Sequence, residues 1–166
     1  MQSTPGAARD GSTIEGSVTI KSSVAQVFGF YKDFRNLPRF LGDVMRVEPL
    51  GPGTARWTVQ GPFGLRTTWT TRVTEERPNE LLRYETVMPS ALKTSWSIHF
   101  APGAEPGETD VHEVMKVPLG RFGRAALALI GKFPAEEMTS NLHRLKEVLE
   151  TGAVKDTSRA VPGKFS

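Results

Sequence analysis

Residues 121–150, RFGRAALALIGKFPAEEMTSNLHRLKEVLE, carry the longest apolar stripe at helical spacing in this chain of 166 residues. The second half of the stretch repeats apolar side chains at intervals of four, three and four residues, at Met138, Leu142, Leu145 and Leu149. This spacing places them on one face of a helix. Polar residues such as Arg144 and Glu147 are predicted to form the solvated side. Because such a helix needs a partner surface, the rest of the chain should supply one.

Pro134 interrupts this stretch. Proline in a helix interior removes a backbone donor and clashes with the preceding turn, so the sequence predicts a kink or two helices that meet here. Proline is also tolerated in a first turn, where Glu136 and Glu137 would interact favourably with the helix dipole. In that case residues 122–132 form a separate segment.

The residues before this helix predict a run of strands. Residues 12–21 alternate between polar and apolar, and a helix capped by Ser22 or Ser23 and a short helical turn from Asn36 to about Gly42 follow. Turns rich in glycine and proline then separate six further strands, at residues 44–50, 54–60, 65–75, 81–88, 92–101 and 109–119. Short connections favour antiparallel pairing. The predicted fold is α+β, with one curved seven-stranded sheet wrapped around the C-terminal helix.

The composition excludes several classes of protein. The net charge is only +3 and the basic residues are scattered, which argues against a nucleic-acid interface. The absence of cysteine excludes disulfides, thiolate zinc sites and a thiol nucleophile. The opening residues lack a signal-peptide core, and the longest aliphatic run, residues 125–130, is too short to cross a bilayer, so we expect a cytoplasmic protein. A single domain at residues 12–150 is expected between flexible tails at residues 1–11 and 151–166.

Three stretches carry a family resemblance: residues 24–28 leading into 33–40, residues 69–75, and residues 141–146. With the order of elements, they resemble the helix-grip fold of the START-like SRPBCC superfamily, in particular its polyketide cyclase/dehydrase branch. The resemblance covers residues 12–150. It implies an apolar cavity between sheet and helix that holds a hydrophobic small molecule. Some members of this branch cyclise and dehydrate their ligand, whereas others only carry it, so fold alone does not decide the activity.

Four aromatic residues, Trp57, Trp69, Tyr84 and Trp96, fall on the apolar faces of four different predicted strands. Each one alone is more simply read as a core residue. Together they could form one concave wall suited to a fused-ring or quinone ligand. The remaining predicted ligand-binding residues are Met115 on the last strand and Leu127, Met138 and Leu142 on the helical stretch.

Glu113 is the candidate catalytic residue. Val111, Met115 and Val117 alternate inward on the last strand, and the same phase turns Glu113 toward the cavity. A carboxylate facing an apolar cavity should have a raised pKa that suits proton transfer near neutral pH. The alternative is a structural ion pair with an arginine, or a position at the wet mouth.

Other residues offer weaker signals. The resemblance suggests a cavity arginine, because some aromatic polyketide cyclases carry one on the strand that corresponds to that of Arg72. Strand phase, however, turns Arg72 outward unless a bulge intervenes. His99 and His112 also face outward by alternation, and the histidine spacings predict no metal site. No motif predicts a cofactor, a hydrolase or a kinase. The basic, apolar segment 120–133 is read as a cavity lid, with membrane contact as the less favoured alternative.

Taken together, the residues and the resemblance predict binding of a hydrophobic small molecule, either an aromatic polyketide-like compound or an isoprenoid. Catalysed cyclisation or dehydration is the leading hypothesis, and a non-catalytic quinone or lipid carrier is the alternative. An inward arginine, histidine or tyrosine near Glu113 would favour the enzyme. An entirely apolar lining would favour the carrier. The sequence leaves the oligomeric state open.

Overall fold

The computed structural model describes residues 13–87, 93–117 and 134–166. Seven antiparallel strands form one sheet, which confirms the predicted fold. The strands are β1 (Thr13–Ile20), β2 (Val44–Gly51), β3 (Thr54–Gln60), β4 (Arg66–Arg77), β5 (Leu81–Thr86), β6 (Ser95–Pro102) and β7 (Thr109–Lys116).

The order of strands across the sheet is β1-β7-β6-β5-β4-β3-β2. From β2 onward each strand pairs with the next along the chain, as short turns require. One of these turns contains Gly53 at a φ of 68°, a conformation that glycine adopts without steric cost. The first strand of the chain pairs with the last, from Thr13↔Lys116 to Ile20↔Thr109. As a result β1 and β2 lie at opposite edges, and the segment between them must cross the sheet.

Helix α1 (Val24–Lys32) and a 3-10 helix (Phe34–Arg39) make this crossing. Ser23 caps α1 by accepting a hydrogen bond from the backbone N–H of Gln26. Asp33 caps the 3-10 helix by accepting from the N–H of Arg35. The apolar side chains of both helices face inward and join the core, with Val27, Phe28, Tyr31, Phe34 and Leu37 all buried. The crossing segment therefore covers one face of the sheet.

The C-terminal helix α2 (Pro134–Thr151) begins at the proline that divides the long apolar stretch. Pro134 therefore lies in the first turn of α2, which is the second of the two placements that the sequence allows. Met138, Leu142 and Leu145 are buried as the spacing predicts, and the helix packs mainly on β1. No helix in the described ranges is both long and apolar enough to span a bilayer.

Arg144 corrects the predicted solvated side of α2, because its side chain is completely buried. Its guanidinium donates from Nε to the carbonyl of Phe40 at 2.7 Å, from Nη1 to the carbonyl of Ser158 at 2.6 Å, and from Nη2 to Asn141 Oδ1 at 2.6 Å. The ring of Phe165 stacks against it, with 5.2 Å between Cζ and the ring centroid. These partners replace the water that a charged group loses on burial.

The C-terminal segment after α2 also differs from the predicted flexible tail. The N–H of Val161 donates to the carbonyl of Gly42 at 2.9 Å, and Lys164 Nζ donates to the carbonyls of Leu41 and Val44. Burial lowers the pKa of Lys164 to about 8. The segment packs on the chain between the 3-10 helix and β2, and Arg144 binds it through the carbonyl of Ser158.

Candidate functional site

A set of stacked aromatic rings lines the inner face of the central strands. Trp57, Tyr84 and Trp96 have nearly parallel planes, and the centroids of Tyr84 and Trp96 lie 4.9 Å apart. Phe34 of the 3-10 helix packs edge-on against Trp57 at 5.7 Å and against Tyr84 at 5.0 Å. Three of the four predicted wall residues therefore form the aromatic wall, and Phe34 of the crossing segment covers part of it.

The predicted wall residues differ in how deeply they are buried. Trp57 and Tyr84 are fully buried, whereas Trp69, Trp96 and Met115 are only half-buried. Trp96 lies between Tyr84 and Met115 in the strand register, so the three side chains form one row across β5, β6 and β7. The row therefore runs from a buried ring on β5 to two half-buried side chains on β6 and β7.

Glu113 lies one step deeper on β7, between the buried Val111 and the half-buried Met115. Its neighbours across the sheet are Ile98 on β6 and Gly16 on β1, neither of which offers a charge. No lysine, arginine or histidine of the described ranges forms an ion pair with it. Burial raises the pKa of Glu113 from its ordinary value of 4.5 to about 7. The carboxyl group can therefore exist in both protonation states near neutral pH.

Two tyrosine hydroxyls lie on the same side of the sheet. Tyr31 of α1 and Tyr84 of β5 are both buried, and their oxygen atoms are 3.4 Å apart, at the long end of hydrogen bonding. Burial is the main cause that raises the pKa of each hydroxyl, and the negative charge of Glu113 raises both further. Both tyrosines therefore stay neutral and keep a proton to donate.

Helix α2 brings two of the predicted ligand-binding residues to the edge of this region. A Cβ placed on Gly16 would lie 2.9 Å from Leu142 Cδ1 and 3.1 Å from Met138 Sδ, so the helix sits directly on this glycine. Gly16 is the cross-strand partner of Glu113. Leu127 and the predicted lid at residues 120–133 lie outside the described residues.

The remaining candidates face away from the inner wall. Arg72 is exposed and pairs with Glu85 at 3.1 Å, as the strand phase predicts. His99 and His112 are cross-strand partners on the outer face, and Ser17 Oγ is 2.7 Å from His112 Nδ1. A cavity arginine at this position is therefore missing from the inner face.

One group of possible metal ligands does come together in the described part of the chain. The ligand atoms of His143, Glu147 and Asp156 lie within 4.8 Å of one another. His143 Nδ1 is 2.8 Å from Asp156 Oδ2, and Glu147 accepts hydrogen bonds from the backbone N–H groups of Lys155 and Asp156. These interactions fasten the chain after α2, and the cluster is read as structural.

Two open surface depressions lie elsewhere on the molecule. One, of about 700 Å³, borders the β4–β5 turn at residues 77–80. The other, of about 340 Å³, lies on β1 and β7 around Thr19 and Asp110. Neither depression is lined by the aromatic wall or by Glu113.

Sequence reasoning missed two residues of this region. Tyr31 and Phe34 are not among the predicted site residues, yet they supply a hydroxyl and a ring edge to the wall. A signal was present, because the helical stripe places Tyr31 on the sheet-facing side of α1. What the sequence could not give is its position opposite Tyr84, which depends on the path of the crossing segment.

Comparisons with known proteins identify the family. Structures with the same fold include a Deinococcus radiodurans protein (22% identity, TM-score 0.67, 84% of this chain and 98% of that one) and a Rhodobacter sphaeroides protein (21%, 0.64, 89% and 96%). The di-domain ARO/CYC BexL from the BE-7585A biosynthetic pathway is also similar (16%, 0.60), with 81% of this chain matching 45% of that one. A search of curated proteins gave no significant match. Residues 12–150 match the family described as polyketide cyclase / dehydrase and lipid transport, and the chain belongs to this family.

Proposed function

We propose that the protein binds a hydrophobic, ring-containing small molecule against the aromatic wall and that Glu113 transfers protons during its cyclisation or dehydration. The observation that carries this proposal is the buried carboxyl of Glu113, whose pKa is about 7 and which pairs with no basic side chain of the described ranges. A buried charge costs free energy unless it is paired, so its retention indicates a task.

The chemistry follows from this carboxyl. As a carboxylate, Glu113 would remove a proton from a carbon next to a ligand carbonyl and leave an enolate. In an aldol cyclisation the enolate carbon attacks a second carbonyl carbon, and the resulting alkoxide takes the proton back. In a dehydration the carbon–oxygen bond breaks instead, and the returned proton lets the hydroxyl leave as water. Both reactions need one group that accepts and then donates a proton.

The two tyrosines provide the second component of this proposal. Because Tyr31 and Tyr84 remain neutral, either hydroxyl can donate a hydrogen bond to the oxygen on which negative charge develops. Tyr84 belongs to the row that includes the half-buried Trp96 and Met115, so a ligand held on these side chains would lie beside it. An inward tyrosine that interacts with the charge of Glu113 supports the enzyme over the carrier.

A second candidate is a non-catalytic carrier of a quinone or lipid. Arg72 pairs with Glu85 on the outer face, so it supplies no inner cation to stabilise an enolate. The aromatic side chains also stack on one another, which gives the wall a largely apolar character. Such a surface suits reversible binding without chemistry.

Substitution of Glu113 by glutamine distinguishes the two candidates. The variant keeps the size of the side chain but removes its titratable proton. Binding would be followed with the fluorescent dye 1-anilinonaphthalene-8-sulfonate, and dehydration with the ketol 4-hydroxy-4-phenyl-2-butanone, whose product is a conjugated enone with strong ultraviolet absorbance. We expect Glu113→Gln to bind the dye as the parent does. We expect it to dehydrate the ketol more slowly than the parent by a factor of about one hundred or more.

The exposed Glu105 in the β6–β7 turn provides the matched control. Glu105→Gln removes one carboxylate from the same protein and should leave both binding and turnover unchanged. If the parent binds the dye but dehydrates the ketol no faster than Glu113→Gln, the carrier replaces the enzyme as the preferred function. If the parent does not bind the dye, the binding surface itself is misplaced.

A further inference from the structure

Two tryptophans are neighbours on adjacent strands but differ in the hydrogen bonding of the indole nitrogen. Trp57 on β3 and Trp69 on β4 are direct cross-strand partners, so both side chains lie on the inner face. The indole N–H of Trp57 donates to Thr71 Oγ1 at 2.7 Å. The indole nitrogen of Trp69 is equally inaccessible to solvent, yet it has no acceptor in the part of the chain that the structure describes.

A buried donor without an acceptor is uncommon, because it gives up its hydrogen bond to water and receives nothing in return. Trp69 is also less buried than Trp57. The β5 strand ends at Thr86, opposite Thr71, so Trp69 lies beyond the end of that strand. The side chain is half-buried, whereas its nitrogen is covered, so the N–H does not face solvent.

We propose that the N–H of Trp69 donates a hydrogen bond to an oxygen atom of the bound ligand. This inference rests on the proposed binding function and narrows the ligand class. The ligand would be a ring compound with a ketone, quinone or phenol oxygen, and a purely hydrocarbon isoprenoid chain would leave the donor unsatisfied. A donor placed for a ligand oxygen favours ligands that carry the oxygen over analogues that lack it.

Wall and donor then have separate tasks. Stacking on Trp96 and Tyr84 would hold any flat ring, because such contacts depend on area and plane orientation. The Trp69 donor would set which end of the ring carries the oxygen. A ligand fixed in this way keeps one orientation relative to Glu113, and proton transfer requires such a fixed geometry.

Nuclear magnetic resonance of ¹⁵N-labelled protein tests this directly. The chain has three tryptophans and should give three indole N–H signals, and the one lost in Trp69→Phe belongs to Trp69. The probes are 1-tetralone and tetralin, which share a bicyclic skeleton and differ in one carbonyl oxygen. We expect 1-tetralone to shift the Trp69 proton signal downfield and tetralin to leave it nearly unchanged. The Trp57 signal, already hydrogen-bonded to Thr71, is the internal control.

Affinity gives a second readout. The parent should bind 1-tetralone about three- to tenfold more tightly than tetralin, the ratio expected for one net hydrogen bond. Trp69→Phe should lose that preference and still bind tetralin. If the parent binds both probes while the Trp69 signal does not respond to the ketone, the donor role is wrong and the binding function stands. If the parent binds neither probe, the proposed binding function fails, and the inference fails with it.

Discussion

Glu113 and Arg144 are both charged side chains buried inside the domain, and their surroundings are opposite. Arg144 on α2 donates to the carbonyls of Phe40 and Ser158 and to the side-chain oxygen of Asn141. Glu113 on β7 lies between Ile98 and Gly16 in the register and forms no ion pair with a described basic side chain. The first charge is held by hydrogen-bond acceptors, whereas the second lies between apolar strand neighbours.

This difference separates a structural charge from a functional candidate. Burial lowers the pKa of Arg144, but the nearby carboxylates of Asp156 and Asp43 act in the opposite direction. Burial alone shifts the pKa of Glu113, and nothing opposes it. A group whose partners fix it in one charge state holds the fold together, whereas a group near its midpoint can exchange a proton.

The largest expected effect is on the Arg144 side of the comparison. Arg144→Met keeps most of the aliphatic volume but removes all the donors, so it leaves buried carbonyl groups unsatisfied. We expect the free energy of unfolding in urea to fall by about 3 to 5 kcal/mol, the range for breaking a buried charged network. The exposed Arg72, paired with Glu85 at 3.1 Å, gives the matched control. Arg72→Met should cost about 1 kcal/mol or less.

Hydrogen exchange locates the same effect in the chain. If Arg144 fixes the C-terminal segment, residues 156–166 should lose protection in Arg144→Met before the sheet does. Equal stability losses in the two arginine variants would show that the buried guanidinium contributes no more than a surface ion pair. In that case Arg144 would not be a structural charge, and its contrast with Glu113 would no longer hold.

The next effect concerns the pH dependence of stability on the Glu113 side. Below pH 4.5 the carboxyl is protonated in both the folded and the unfolded chain, so its titration does not make the free energy of unfolding depend on pH there. As pH rises from 4.5 to about 7, the unfolded chain releases the proton more readily, and stability falls. Above about 7 both forms are ionised and the loss is complete. The raised pKa corresponds to about 3 kcal/mol.

Unfolding measurements on the parent and on Glu113→Gln between pH 4 and pH 9 isolate this contribution. The variant should gain about 3 kcal/mol relative to the parent between the two ends, with most of the change between pH 4.5 and 7. A difference that stays constant with pH would mean that the carboxyl titrates normally in the folded protein. It would then be solvated or paired like Arg144, and the proton-transfer proposal would lose its physical basis.

Much of the fold could be predicted because its signals are local. Turns of glycine and proline delimit β3, for which the predicted and observed bounds are both 54–60. Short connections then dictate which strands are neighbours. The pairing of β1 with β7 and the crossing of the sheet by α1 depend on contacts between residues far apart in the chain. The spacing of apolar residues carries no information about such contacts, so the position of Tyr31 opposite Tyr84 was not predicted.

The same distinction explains which parts of the candidate site could be predicted. Alternation along β7 correctly turns Glu113 inward, because the side-chain period of a strand is two and the register is regular there. Arg144 was placed on the wrong side, since the helical period describes one helix against one surface. A second surface, the segment after α2, covers its flank. That segment has the polar composition of a tail, and its long-range hydrogen bonds are invisible in the sequence.

The smallest expected effects come from two glycines, one beside each buried charge. A Cβ on Gly42 would lie 2.8 Å from Arg144 Nη2, 2.8 Å from the carbonyl oxygen of Arg159 and 3.0 Å from the Cα of Ala160. Two of these neighbours are backbone atoms, which cannot move without displacing the C-terminal segment. Gly42→Ala should therefore cost about 1 to 3 kcal/mol of stability, the usual range for overpacking, and leave dye binding unchanged.

Gly16 beside Glu113 should respond in the opposite way. Its Cβ would meet Leu142 Cδ1 at 2.9 Å and Met138 Sδ at 3.1 Å, the ends of side chains that can rotate. The strain is offset in part by the lower entropy of the unfolded chain with alanine, so stability should change by less than about 1 kcal/mol. The displaced side chains move over the inner face, so dye affinity should change severalfold. Gly16→Ala could instead destabilise the protein as much as Gly42→Ala and bind the dye normally. The Glu113 region would then affect stability in the same way as the Arg144 region, and the proposed difference between them would be wrong.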